Sequence, residues 1–498
     1  MNTITKQSAR AVKLNHLLLL LLLTLATPAG AEVTAQDLPN IGDSSGTILS
    51  PEYERRLGQA FLNQVRQQAD IITDPEIETY IRSLGYRLVS QSDNNTQTFT
   101  FFIINDAAIN AFAAPGGIVG INSGTILNSS TESELAGVLA HEVAHVTQRH
   151  MARSFEMQSR LSIPMMAAML GAIIVATQNA EAGQAAMIAA QGANAQMQIN
   201  FTRANEQEAD RIGMQLLSRA EFNPRGMPAF FEKLHQDSRY IGAAPEFLRT
   251  HPLTSNRVAD TWSRAEQYPQ DYEYHESLSY NFMKAKLLVI LQKDPFQSAE
   301  YFRHRLETEP YSDSFTYLTY GHALALTETG DYDQAREALL RLLASDAENS
   351  SYLLALAALE SKQNNHTAAL KIYDDLLKLY PDYRPVVFSY ARALLENNRP
   401  TQAKDILREY GKFNDPDIIY YEYLTRSEGE AGNKIEAGMA SAEFYYLSGE
   451  TRVAIQQLQH LLGGRELQPD FYQREKIQDR LAFMEQELKI ERDMKLVK

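Results

Sequence analysis

The 498 residues read as a mainly helical protein in two parts, an α+β domain with a small sheet followed by an all-α repeat solenoid. Three observations lead there. The chain is longer than one hydrophobic core ordinarily holds, so two domains are expected. Capped helical segments flanking a short Phe- and Ile-rich alternating stretch fill the first half. In the second half, small residues recur at a fixed interval of 34. These put the first domain at 32–275 and the second at 280–490.

Ahead of both, Lys6, Arg10 and Lys13 precede an apolar run from Leu17 to Leu25 and then Ala29-Gly30-Ala31. That is the order of a secretory signal peptide, with cleavage expected after Ala31. The run is short for a bilayer span, which makes a retained anchor the weaker reading. The chain has no cysteine, so neither a lipid anchor at the cleavage site nor a disulfide framework is available. Net charge is −15, and loss of the three leading cations makes the mature chain more acidic still, which argues against nucleic acid as a partner.

Residues 32–49 are polar and aperiodic. Ser50-Pro51 and Asp74-Pro75 each pair a capping residue with a first-turn proline, and apolar spacing continues each as a helix. Thr98 to Ile104 alternates as a strand. Asn110-Ala111-Phe112-Ala113-Ala114-Pro115-Gly116-Gly117 then turns into a second expected strand, Ile118 to Asn122. With little side chain at its glycine, that strand suits either an ordinary hairpin or pairing with an extended peptide.

Next comes His141-Glu142-Val143-Ala144-His145. Histidines four apart share one helix face and reach one metal ion, with Glu142 turned to the same pocket as a general base. Thr131 and Glu134 form a capping box, and Leu135, Val138, Leu139 and Val146 give a buried stripe, so the motif lies in an amphipathic helix. From Leu161 to Thr202 the only charge is Glu181. The expected form is a helical hairpin near the site, as core or lid, with insertion in lipid the weaker alternative.

Glu206-Gln207-Glu208-Ala209-Asp210 opens another helix. A hydrolytic zinc site takes three protein ligands and leaves one position open, so Glu206 is the candidate third ligand. Asp210, one turn on, is placed to accept from the outer nitrogen of a ligating histidine, whereas Glu208 points elsewhere as a surface charge. His251-Pro252 and Arg257 set a histidine and a cation at a loop-to-helix junction, a pair suited to a developing oxyanion.

Taken together, these four ordered motifs resemble the metallopeptidase family that includes the CAAX prenyl protease and HtpX. The resemblance implies a gluzincin fold, one zinc ion per chain, Glu206 as third ligand, and at rest His251 as a fourth. The chain lacks the membrane helices of those two proteins, which points to an exported, periplasmic branch.

Across 280–490, Ala335, Ala369, Ala403 and Ala437 stand 34 apart, as do Ala323, Ala357 and Ala391, with Gly330-Asp331, Asn364-Asn365, Asn398-Arg399 and Gly432-Asn433 in step. This is the period of tetratricopeptide repeats, whose concave surface takes partners and whose units make their own core, so each domain is expected to fold alone. For an exported member with such an array, the resemblance implies a zinc endopeptidase that is chaperone-like and degradative. Its implied partners are the outer-membrane barrel assembly machinery and unfolded or stalled β-barrel proteins, among them the lipopolysaccharide translocon barrel; peripheral membrane association is compatible with it. The competing reading is a repeat-based scaffold with a latent metal site; Glu142, which a structural site does not need, favours the enzyme.

Overall fold

The computed structural model describes residues 50–93, 98–157, 171–183 apart from 178 and 180, 195–240, 245–269, 274, 277–309, 314–464 and 468–493. The expected signal peptide and lead-in, and 161–170 and 184–194 of the uncharged stretch, lie outside the described residues. Among the described residues no helix is long and apolar enough to cross a membrane.

Ser50 caps α1 (Pro51–Gln68), its hydroxyl accepting from the Tyr53 amide at 3.2 Å. Asp74 caps α2 (Pro75–Val89), accepting from the Glu76 and Ile77 amides at 3.1 Å. Each first-turn proline sits where no donor is lost. A three-stranded sheet follows, made of β1 (Thr100–Ile104), β2 (Ala111–Ala114) and β3 (Ile118–Asn122) in the order β1-β3-β2. β1 runs parallel to β3, with Thr100 opposite Ile118, and β2 antiparallel, with Ala113 opposite Val119.

The sheet corrects one expectation. Ile118–Asn122 is the central strand with a partner on each side, so no peptide can add to it. Gly116 (φ 73°) and Gly117 (φ 79°) fold the chain back on itself, and Ala111–Ala114 becomes a strand at the sheet's edge.

After α3 (Ser123–Asn128), α4 (Glu132–Thr147) carries the two histidines. Thr131 Oγ1 accepts from the Glu134 amide at 3.1 Å, while Glu134 reaches the Ser130 amide at 2.7 Å and Lys233 at 2.8 Å. The helix is not amphipathic as expected: among its residues only His145 is partly exposed. α2, β2, α6 (Ala195–Arg219) and α7 (Gly226–Tyr240) close around it, with α5 (His150–Met157) leading on from its end. α6 crosses close because Gly213 has no side chain; a Cβ there would lie 3.1 Å from Ala140 O. Of the uncharged stretch, 171–177 is helical, with Ala172 and Ile174 buried. α8 (Phe247–Thr250) and α9 (Ser255–Ala265) complete this half.

From α10 (Leu278–Leu291) and α11 (Pro295–Thr308) onward the chain is a run of helices. α12 (Phe315–Thr329) precedes α13 (Tyr332–Ser345), α14 (Ser350–Lys362) precedes α15 (His366–Leu379), and α16 (Arg384–Glu396) precedes α17 (Pro400–Tyr410). α18 (Ile418–Glu430) with α19 (Lys434–Leu447) and α20 (Thr451–Gly463) with α21 (Phe471–Asp493) finish it. The repeat is written in the backbone: Gly330 (φ 85°), Asn364 (63°), Asn398 (56°) and Gly432 (85°), each 34 residues after the last, take the left-handed conformation that turns one helix of a pair into the next. Ala323, Ala335, Ala357, Ala369, Ala391 and Ala403 are buried where paired helices meet.

The two halves share more than the sequence implies. Tyr280, Met283 and Leu287 of α10 enter the peptidase-side core, while Phe282, Ala285 and Val289 of the same helix enter the first core of the array. Lys286 Nζ reaches Asp74 at 2.8 Å and Glu76 at 2.5 Å; Arg384 joins Glu78 and Asp417, both at 2.8 Å. Farther along, Arg66 donates to Leu447 O at 2.7 Å and Arg56 pairs with Glu487 at 2.8 Å. Tyr320, Ser351 and Tyr383 line a cavity of about 280 Å³ with Glu76, Tyr80 and Lys286. This part of the array packs against the protein's own α2.

Candidate metal centre

One turn of α4 places the His141 and His145 rings together, with Nε2 atoms 3.1 Å apart. From α6, Glu206 brings Oε2 to 3.3 Å from His141 Nε2 and Oε1 to 3.4 Å from His145 Nε2. His251, in the turn after α8, sets Nδ1 at 3.2 Å from His141 Nε2 and 3.1 Å from each Glu206 oxygen. These four residues offer ligand atoms all within 4.8 Å of one another.

The spacing suits a cation. Four ligands at bond lengths of about 2.0–2.1 Å in a tetrahedron lie about 3.3 Å apart, close to the separations above. The electrostatics agree. Burial works against charge on His141, yet its hydrogen bonds to Asp210 at Nδ1 and Glu206 at Nε2 carry its pKa up to about 10, so two carboxylates favour positive charge at this ring. Burial holds His145 down to about 3, leaving a neutral ring. Glu206 is also buried, and His251 and His145 hold its carboxyl well below the ordinary range.

Behind the ligands, His141 Nδ1 meets Asp210 Oδ1 at 3.0 Å. Arg257 clamps Asp210 with two bonds of 2.8 Å, reaches Glu206 Oε2 at 2.9 Å and donates to Pro252 O at 2.9 Å. The guanidinium is thereby committed to Asp210 and Glu206 and does not itself line the cleft, which corrects its expected pairing with His251 at an oxyanion. Phe247 stacks on His251 at 4.7 Å, and its amide donates to Ile109 O at 3.1 Å.

Glu142 is fully buried, and its Oε1 lies 3.4 Å from His251 Nε2. Burial pushes its carboxyl above the ordinary value, against the pull of His251 and His141. It faces a cavity of about 250 Å³ bounded by His145, Glu206 and His251, by Phe112 to Gly116 along β2, and by apolar Val146, Met151, Phe155 and Ile173. The helical segment at 171–177 thus stands beside the site.

Two residues escaped the sequence reading. His150 Nδ1 lies 2.9 Å from His145 Nδ1, and His150 Nε2 lies 3.1 Å from Glu208 Oε2, so Glu208 is no idle surface charge. Arg153 joins Glu208 at 2.6 Å. The only sequence signal was a third histidine five residues after the motif; its direction depends on Arg149, whose φ of 51° ends α4 sharply.

A histidine pair on one helix, a carboxylate on another and a base facing a cleft are the parts of a metal-dependent hydrolase, here joined to a helical repeat array. Comparison with known proteins agrees. The family described as Peptidase family M48 matches residues 75–265, and tetratricopeptide repeat families match 320–384 and 361–427. A Vibrio cholerae protein named putative beta-barrel assembly-enhancing protease is 36% identical over 88% of this chain and 91% of its own. The beta-barrel assembly-enhancing protease of Escherichia coli K12 is 37% identical over 86% of this chain and 87% of its own. The mitochondrial metalloendopeptidase OMA1 of Schizosaccharomyces pombe is 27% identical over 46% of this chain and 67% of its own. The chain belongs to peptidase family M48, in the group of the beta-barrel assembly-enhancing proteases, and is a metalloprotease.

Proposed function

We propose that this chain is a periplasmic zinc endopeptidase that serves outer-membrane β-barrel assembly, assisting clients in a chaperone-like way and degrading those that misassemble. The observation that carries the reading is the position of Glu142, buried beside three imidazoles and a carboxylate and facing the cleft. Support for the location comes from the signal-like first 31 residues and from the names of the bacterial relatives. Barrel assembly machinery and stalled barrel proteins, including the lipopolysaccharide translocon barrel, are the proposed partners.

His141, His145 and Glu206 would hold the zinc ion, with His251 as a fourth ligand at rest. Zinc bound there supplies Lewis acidity, polarising a carbonyl and making a water easier to deprotonate. Glu142 takes the proton from the attacking water onto a carboxylate oxygen and passes it to the departing amide nitrogen. Asp210 orients His141, and Arg257 holds Asp210 and Glu206 in register. β2 offers an edge along which an extended segment can pair, with alternate side chains reaching the apolar wall. Barrel strands alternate apolar and polar residues and fit such a groove.

Glu142→Gln tests the reading. It is expected to keep fold and zinc while cleavage of an unfolded barrel protein falls by about 10²–10⁴-fold. Undiminished cleavage at equal zinc content would remove Glu142 from the mechanism.

A further inference from the structure

We infer that His150 and Glu208 form a hydrogen-bonded relay that fixes His145 in the tautomer able to bind metal; both are positioning residues, and the inference rests on the metal site proposed above. His145 turns Nε2 toward Glu206 and His141, and its other nitrogen, Nδ1, lies 2.9 Å from His150 Nδ1. Of two ring nitrogens at that distance, one must donate and the other accept. If His145 offers a lone pair from Nε2, its proton sits on Nδ1 and is donated to His150. His150 then accepts at Nδ1 and carries its own proton on Nε2, where Glu208 Oε2 stands 3.1 Å away as acceptor. The chain of donors has one consistent direction and ends on a carboxylate.

The fold sets this up at some cost. The His150 side chain is 4% exposed, so a polar ring has been buried where it needs both partners. To bring it there, Arg149 adopts a left-handed conformation unfavourable to a side chain, stabilised by the 2.6 Å bond from Arg149 Nη2 to Glu54 Oε1. Arg153 holds Glu208 from the other side at 2.6 Å. His145 thus gains from His150 and Glu208 what His141 gains from Asp210, an outer partner that orients the ring.

The test measures zinc affinity of the full-length protein by chelator competition, with the d–d spectrum of the cobalt-loaded protein as a second readout. His150→Phe keeps a ring but removes the acceptor, and is expected to weaken zinc by about 10- to 100-fold. His150→Asn places an amide oxygen near the position of Nδ1 and is expected to restore most of that loss. Glu208→Ala, at a half-exposed position, should weaken zinc less, and in combination with His150→Phe should add nothing, because both act through one chain. Additive losses, or His150→Asn as weak as His150→Phe, would mean that His150 matters only as packing and would overturn the relay. Should His150→Phe fail to fold, zinc affinity and a cobalt spectrum both unchanged in Glu208→Ala overturn it equally. Wild-type protein that binds no zinc would instead remove the metal reading itself.

Discussion

Around α4 the contacts that matter join residues far apart in the chain: His141 meets Glu206, Asp210 and His251. Along the array each helix meets the next, and one backbone turn returns every 34 residues. The first arrangement draws its parts from separate helices and one turn, whereas in the second each repeat depends mainly on its immediate neighbours. α10 belongs to both, and it decides whether the halves can be separated.

Cutting there should have the largest effect. A chain ending at Ser277 loses Tyr280, Met283 and Leu287 from the peptidase-side core and Lys286 from Asp74 and Glu76. Large apolar residues are worth about 2–5 kcal/mol each, against about 5–15 kcal/mol for a whole domain. The fragment is expected to lack a cooperative thermal transition, and one ending at Leu291 to recover it in part. A soluble, metal-binding fragment ending at Ser277 would restore the sequence expectation of two independent domains.

Next in size is Lys286→Met, which leaves two half-buried carboxylates without their cation and should destabilise the protein by up to about 3 kcal/mol, the lower end for a buried pair. Burial opposes the charged form of both Lys286 and Asp74, but their attraction prevails, raising the lysine well above 10.5 and lowering the aspartate from 3.8. A lowered acid gives stability that is present above its unfolded pKa and lost as pH falls through the folded one. A raised base gives stability present below its unfolded pKa and lost only as pH climbs past the folded one. Wild type minus Lys286→Met melting data should therefore be flat from about pH 4 to 10 and shrink in acid. A difference that vanishes at neutral pH would show that the Lys286 ion pairs do not hold the halves together.

How far each half could be read from sequence follows the same division. The array was legible because its signal repeats: alanines and turn residues at 34 kept their phase, and the backbone conformations coincide with them. Within the site, His141, Glu142 and His145 were legible because helix geometry turns spacing into direction, and Glu206 with Asp210 for the same reason. β2 was not, since Ala111–Ala114 carries no alternation and is a strand only through its pairing with β3. The apolar symmetry of α4 was hidden by its polar ligands, and His150 by one left-handed residue. Lys286 looked like any helical lysine until Asp74 and Glu76 closed over it.

Asp210→Ala probes the site with a smaller effect. His141 loses its outer acceptor and Arg257 one of its two carboxylates, so zinc affinity should fall by about 10- to 100-fold while melting of the metal-free protein changes less. Unaltered affinity would make Arg257 on Glu206 sufficient to hold the ligands.

His251→Ala should have the smallest effect and the most informative sign. The ring enters the cluster through Nδ1, while Nε2 faces Glu142 at 3.4 Å. It therefore stands between the base and the other ligands, where attacking water must come. Its segment is short: α8 spans only Phe247–Thr250, held by the buried Phe247 ring, the Phe247 amide on Ile109, the 3.1 Å contact of Glu246 with Asn110 and the Arg257 bond to Pro252 O. A ligand so held can leave without dismantling α4 or α6, which keep His141, His145 and Glu206 in place. Removing the ring should raise basal proteolysis several-fold, with self-cleavage appearing in the purified protein, at nearly unchanged zinc content. A fall in rate at full zinc occupancy would instead make His251 a donor to the reacting carbonyl, and the resting site would then need another closure.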